Sequence, residues 1–303
     1  MVRVDGLLQQ QEKQMKIYTP LLLGLSLSAL FTPQAQATTT EPQLQALWQT
    51  DALRVPESVL WAQQQNNSTD QVLYVSEIDG KSSEADATGG IAVLNADGTV
   101  RHKDWLRGLN APKGMALYQG KLYVADITEL VIVDVASAKI LQKITAPEAV
   151  FLNDVAVDAQ GGVYVSDTRI NRIYKLEQDK LNVWLDQVEA ANGLTVQGGN
   201  LYIAAADKLL KVDLANAEKT LVQVAAGFAE RADGVEAVGN GDFIVSCWAG
   251  LVYYVYADGR VTQLLDTRAS KLNTADIGWN ALTKTLYIPT FFGNSVQAFE
   301  LKP

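Results

Sequence analysis

From about residue 44 onward the chain is written in short runs in which apolar and polar positions alternate, each closed by Gly, Asn or Asp. That period of two predicts β-strands joined by turns. "VAVDAQGG", "LTVQGGN" and "VEAVGNGD" are such runs. Each leads into a more continuously apolar strand: "LYVSE" at Tyr74, "LYVAD" at Tyr123, "VYVSD" at Tyr164, "LYIAA" at Tyr202, "FIVSC" at Ile244 and "LYIPT" at Tyr287. A third strand and turn follow, as in "IAVLNADG", "LVIVDVAS", "IYKLEQDK" and "VYYVYADG", and then a fourth, as in "RHKDWL", "LNVWL" and "VTQLL".

The second strands recur at intervals of 49, 41, 38, 42 and 43 residues. Four strands per unit at a period near 40 predict β-propeller blades, and six units predict an all-β, six-bladed β-propeller with four antiparallel strands per blade. The last unit, "LYIPTFFGNSVQAFELKP", stops after its third strand, while residues 44–61 read as the tail of a blade leading into an inner strand. The N-terminal strand is therefore expected to close the last blade, which ties the chain ends together and removes exposed sheet edges.

Three Asp-Gly pairs pose a question of register. In "NADGTV" and "YADGRV" the pair stands between third and fourth strands, where a tight hairpin is expected; in "RADGVEAV", Asp233-Gly234 stands where an innermost strand begins. At the matching position of the other units lie Glu57, Lys113, Asn153, Asn192 and Asp276. Innermost strands line a propeller's channel, so these six positions predict a ring around its mouth. The loops between second and third strands open on the same face: residues 79–90, 127–129, 168–171, 248–250 and 291–294. The first, "DGKSSEADATGG", is long enough to act as a lid. A ring of carboxylates and amides without imidazole or thiolate suits Ca²⁺, with its loose all-oxygen coordination, better than Mg²⁺ or Zn²⁺. Three carboxylates and one ammonium leave a charge that a dication would cancel.

Composition narrows the partners. The chain has 303 residues, is 48% hydrophobic and carries a formal charge of −9, without a basic cluster, which argues against nucleic acid and anionic membrane. Residues 15–37, "MKIYTPLLLGLSLSALFTPQAQA", read as a secretory signal: Lys16 at the positive end, an apolar stretch from Leu21 to Phe31, and a small-x-small site ending at Ala37. The expected organisation is a leader and signal over 1–37, with Met15 as the expected start and cleavage after Ala37, and a propeller over 38–303. The product is expected to be exported, periplasmic or secreted, monomeric and without a membrane span. Cys247, the sole cysteine, reads as a small buried residue. His102, the sole histidine, falls in a predicted outer strand, which excludes a Ser-His-Asp triad.

Glu57 after Pro56, Asn153 in Asn-Asp, Asn192 in Asn-Gly and Asp233 in Asp-Gly, in that order, resemble the gluconolactonase and regucalcin (SMP-30) family of six-bladed propellers, and more distantly the paraoxonases. The resemblance spans about residues 45–301. It implies that these four side chains hold a divalent cation and that the activity is hydrolysis of a lactone or related ester. Asp233 would act as base toward water, or Asp276 from across the channel. Lys113 in the ring departs from the pattern; it either anchors an anionic substrate or leans away from the metal. Trp248, Phe291 and Phe292 are expected to form an apolar substrate wall. The rival expectation is a non-catalytic, metal-stabilised propeller used for ligand sensing or protein interaction.

Overall fold

A computed structural model describes residues 41–63 and 71–302. The expected signal segment and most of the first inner-strand hairpin loop lie outside the described residues. After β1 (Gln43–Thr50), the first blade is formed by β2 (Pro56–Gln63), β3 (Gln71–Glu77), β4 (Gly89–Asn95) and β5 (Val100–Leu109). The second is β6 (Pro112–Tyr118), β7 (Lys121–Asp126), β8 (Glu129–Asp134) and β9 (Lys139–Thr145); the third is β10 (Leu152–Val157), β11 (Val163–Asp167), β12 (Arg172–Glu177) and β13 (Lys180–Leu185). The fourth is β14 (Ala191–Gln197), β15 (Asn200–Ala205), β16 (Lys208–Asp213) and β17 (Val222–Ala226); the fifth is β18 (Ala232–Gly239), β19 (Asp242–Cys247), β20 (Leu251–Val255) and β21 (Val261–Asp266). β22 (Gly278–Asn280), β23 (Thr285–Pro289) and β24 (Val296–Lys302) form the sixth, where β1 pairs antiparallel with β24 as the outermost strand. The architecture is an all-β, six-bladed propeller. Among the described residues no helix is long and apolar enough to cross a membrane.

Burial follows the sequence pattern. Each second strand is packed on both faces, so β3, β7, β11 and β19 are buried along almost their whole length, whereas outer strands such as β5 and β13 keep one solvated face. The core lies mainly between neighbouring blades. One cluster joins Tyr74, Ile91 and Leu109 of the first blade to Met115, Val124 and Val131 of the second; another joins Leu130 and Ile144 to Val155, Val165 and Tyr174. These blade-to-blade contacts fix the angular spacing of the inner strands.

Every inner strand carries an irregularity at the ring position. Leu152 pairs with Asp167 but Val155 with Val165, so Asn153 and Asp154 are taken up in a β-bulge. The same offset holds Lys113-Gly114, Asn192-Gly193 and Asp233-Gly234, and a shift at Glu57 does so in β2. In the sixth blade, Ala275 N–H bonds Pro289 O while Gly278 pairs with Tyr287, which places Asp276 in the equivalent bulge. A bulge bends the strand and re-aims a side chain; six bulges at one level form the ring.

Candidate functional site at the channel mouth

The bulges free backbone donors, and side chains take them up. Ser76, Ser166 and Ser246 on the second strands accept hydrogen bonds from Ser58 N–H, Asp154 N–H and Gly234 N–H at 3.0, 2.9 and 2.9 Å. The connections entering the inner strands are held by carboxylates at the ends of second strands: Asp126 accepts from Asn110 and Ala111 N–H, and Asp167 from Val150 and Phe151 N–H. Inner strands also approach closely. A Cβ on Gly193 would lie 2.2 Å from the Asp233 carbonyl oxygen, and one on Gly234 2.5 Å from Asp276 Oδ1.

Five of the six ring residues line one cavity of about 670 Å³: Glu57, Lys113, Asn153, Asn192 and Asp233. Ser82, Thr168, Trp248, Phe291 and Phe292 from the second-to-third-strand loops wall it in, so the expected face is the one that opens. Asp276 is not among the lining residues. It is half-buried, accepts a 2.5 Å hydrogen bond from Ser58 Oγ, and acts on the ring through its charge. Phe291 is buried in a cluster with Ile78, Ala111, Ile127 and Ala275; Trp248 and Phe292 are the exposed members of the wall. His102 is exposed on β5 and lies outside the cavity.

The polar ends facing the cavity are mostly oxygens. Asn153 commits its amide N–H to Thr168 Oγ1 at 3.0 Å, and Asn192 commits its own to Asp233 Oδ1 at 2.7 Å, which leaves both side-chain carbonyls as the free ends. Glu57 Oε2 and Asp233 Oδ2 are buried and have no hydrogen-bond partner among the described residues. Unpaired buried carboxylate oxygens are costly. Their titration reflects this. Burial, with the Asp276 charge adding to it, pushes the Asp233 carboxyl up to about 7 against the pull of the Asn192 amide. Asp276 is likewise raised to about 7 by burial, opposed by the Ser58 hydroxyl. Burial first, then Asp233 and Asp276, holds Glu57 well above the usual carboxylate range.

Lys113 does not relieve this strain directly. Its side chain is almost fully buried, and its ammonium donates to Ala111 O at 2.8 Å and lies 4.4 Å from the centre of the Phe151 ring. Burial lowers it to about 8, against the attraction of Glu57 and Asp126. Sequence reasoning did not single out Asp154, Ser58, Thr168 or Phe151. Asp154 is buried next to Asn153, accepts from Leu194 and Val155 N–H at 2.6 Å each, and is raised by burial and by Asp276. Its signal was present as the residue following a ring position.

The oxygen set fits a hard divalent cation. Glu57 and Asp233 would supply charge and Asn153 and Asn192 neutral oxygens, with the two orphaned carboxylate oxygens as the observation that favours it. Among the described residues no group of three or more His, Cys, Asp or Glu side chains is placed to hold a metal ion, so any such site depends on the two amides.

A family model described as the SMP-30/Gluconolactonase/LRE-like region matches residues 55–291. Curated proteins provide no sequence match. Among solved structures, a streptogramin B lyase shares the fold at a TM-score of 0.62 and 9% identity, covering 86% of this chain and 98% of that one. A catalytically inactive histidine-to-alanine variant of virginiamycin B lyase from Staphylococcus aureus, with quinupristin, gives 0.59 and 10%, covering 86% and 99%. A structural-genomics protein provisionally called a gluconolactonase gives 0.60 and 15%, covering 87% and 93%. At these identities the likenesses speak for the fold alone.

Proposed function

The chain belongs to the SMP-30/gluconolactonase/LRE-like family, and from that premise we propose that it is an exported, Ca²⁺-dependent hydrolase of lactones or related esters, acting at the channel mouth. The observation that carries this reading is the pair of buried, partnerless oxygens, Glu57 Oε2 and Asp233 Oδ2, in one cavity with Asn153 and Asn192. When bound there, a dication supplies Lewis acidity toward a carbonyl oxygen. The chain's own groups do the rest. Asp233, with one oxygen anchored by Asn192 and the other free, is the group placed to take a proton from water. Thr168 and the Asn192–Asp233 bond hold the amides in one orientation. Trp248, Phe291 and Phe292 shield one side from solvent. Asp276, held by Ser58 outside the lining, adds negative charge beside Asp233 and is the second candidate for the base.

The histidine-dependent chemistry implied by the inactive lyase variant is not carried over, because His102 stands on an outer strand. The signal-like segment over residues 15–37 supports export. The test is calorimetric titration of Ca²⁺ into the propeller, followed by a lactone and aryl-ester panel with and without chelator. At a hundredfold excess over Kd, binding should stabilise the fold by about 2.7 kcal/mol, roughly 5 °C or more in Tm. Asp233→Asn should remove both that shift and turnover. Binding without turnover favours the ligand-sensing alternative; a Tm indifferent to Ca²⁺ removes the metal from the account.

A further inference from the structure

Lys113 and Phe151 line one part of this cavity and the rings of Trp248, Phe291 and Phe292 another, with Glu230 and Arg231 also in the lining beside the fifth blade. Lys113 belongs to the second blade and Phe151 enters the third, whereas Trp248 belongs to the fifth and Phe291 and Phe292 to the sixth. Two cations lie against one aromatic ring, Lys113 within the cavity lining and the exposed Arg169 just outside it: Lys113 Nζ lies 4.4 Å and the Arg169 guanidinium 4.2 Å from the centre of Phe151. Neither makes an ion pair among the described residues. Arg231 in the cavity lining likewise makes none among the described residues, whereas Arg54, Arg107, Arg172, Arg260 and Arg268 each reach a carboxylate. Glu57 and Asp126 attract Lys113 across space without forming an ion pair with it. Of the three donors on the ammonium one is spent on Ala111 O, which leaves N–H capacity for a ligand. In a chain of net charge −9, cations without carboxylate partners at one opening are selective for an anion.

The other part of the wall is aromatic and partly bare. Trp248 is 42% and Phe292 65% exposed, and the three rings pack edge to face with centres 5.5, 6.0 and 4.7 Å apart. Exposed aromatic surface beside a cavity is the kind that a ligand's apolar body covers.

We propose that the substrate carries a carboxylate, gripped by Lys113 and Arg169 beside the Phe151 ring, and an apolar, ring-bearing body laid against Trp248 and Phe292. This rests on the reading that the cavity is the substrate site of the hydrolase. The carboxylate is drawn to the two cations beside Phe151, which leaves the neutral lactone or ester group as the part that faces Glu57 and Asp233. Arg169, a planar fork, suits two-point contact with a carboxylate; Lys113 adds a point charge.

The test compares 4-phenylbutyrate with its primary amide by calorimetry, in the presence of Ca²⁺, on the native chain and on Arg169→Gln, Lys113→Met and Trp248→Ala. The acid should bind the native chain about tenfold more tightly than the amide. Arg169→Gln should shrink that ratio several-fold, Lys113→Met should abolish it, and neither should alter amide binding. Trp248→Ala should weaken acid and amide alike. Equal binding of acid and amide to the native chain overturns the proposal, as does an unchanged ratio in Arg169→Gln, an exposed position whose substitution leaves the core intact even if Lys113→Met fails to fold. These are binding measurements, so they separate from the hydrolase question: an acid preference with no turnover of any lactone sinks the hydrolase reading only, and turnover indifferent to a carboxylate sinks this one only.

Discussion

At the scale of single residues, the ring stores a repulsion that protons or a cation must relieve. Asp233 and Asp276 titrate at about 7 in the folded protein and near 3.9 in an unfolded chain. Between those values the native state holds protons that the unfolded state has released, so the stability they contribute is present at low pH and is lost as pH rises through about 7. In chelator, the melting temperature should therefore fall from pH 5 to pH 8. With Ca²⁺ the trend should flatten or reverse, because a cation competes with those protons and its affinity rises over the same window. Thermal melts at several pH values check this; a flat profile in chelator would mean that the carboxylates are not strained as the geometry implies. Lys113 titrates lower than an ordinary lysine for the same reason, burial, and its charge faces Ala111 and Phe151 rather than the carboxylate across the ring.

At the scale of elements, the six inner-strand bulges do the positioning, and their glycines are there for room. Gly98 and Gly259 in the hairpin turns have φ of +87° and +85°, a backbone need, and the preceding Asp97 and Asp258 are exposed and bond N–H groups two residues on. Gly193 and Gly234 need no such φ; a side chain there would strike the neighbouring inner strand. Gly193→Ala should cost about 1–3 kcal/mol, as overpacking does, and weaken Ca²⁺ binding, since the atom it displaces is the carbonyl of Asp233. A urea midpoint equal to that of the native chain would contradict it. This contrast also marks how far the residues alone could be read. Strand order, blade count and the shared register of Glu57, Asn153, Asn192 and Asp233 were legible, because period-two patterning and repetition survive without coordinates. The bulges were not, since they exist in the pairing of two strands and leave no residue signature. Neither was the place of Asp276 outside the cavity lining, where a hydroxyl from the first blade holds it. The direction of Lys113 depends on a backbone carbonyl, which no side-chain pattern reports. The serines at 76, 166 and 246 stood in the repeated motif, but the N–H groups they serve arise only from the bulges.

At the scale of the whole molecule, closure joins the first strand to the last three. β1 covers the edge of β24; Trp48 stacks near Tyr287 at 5.8 Å and rests against the Gly98 hairpin of the first blade, where Thr50 Oγ1 also bonds Gly98 O at 2.5 Å. Beside the channel the seam is closed a second time, with Asp276 N–H bonding Glu57 O at 2.9 Å and Val59 N–H bonding Asp276 O at 3.2 Å. A chain beginning at Asp51 should lose at least about 2 kcal/mol from half-buried Trp48 alone, with a Tm lower by roughly 5 °C, and should associate through the bared edge of β24. Calorimetry and light scattering test both parts, and an unaltered, non-associating truncation would show that the seam beside the channel suffices. The inner seam has a consequence of timing. Glu57 is among the first ring groups to leave the ribosome, yet its neighbour across the seam arrives only with the closing blade. A growing chain thus has no finished mouth at any earlier stage, and competence arrives in a single event when the two ends of the polypeptide meet.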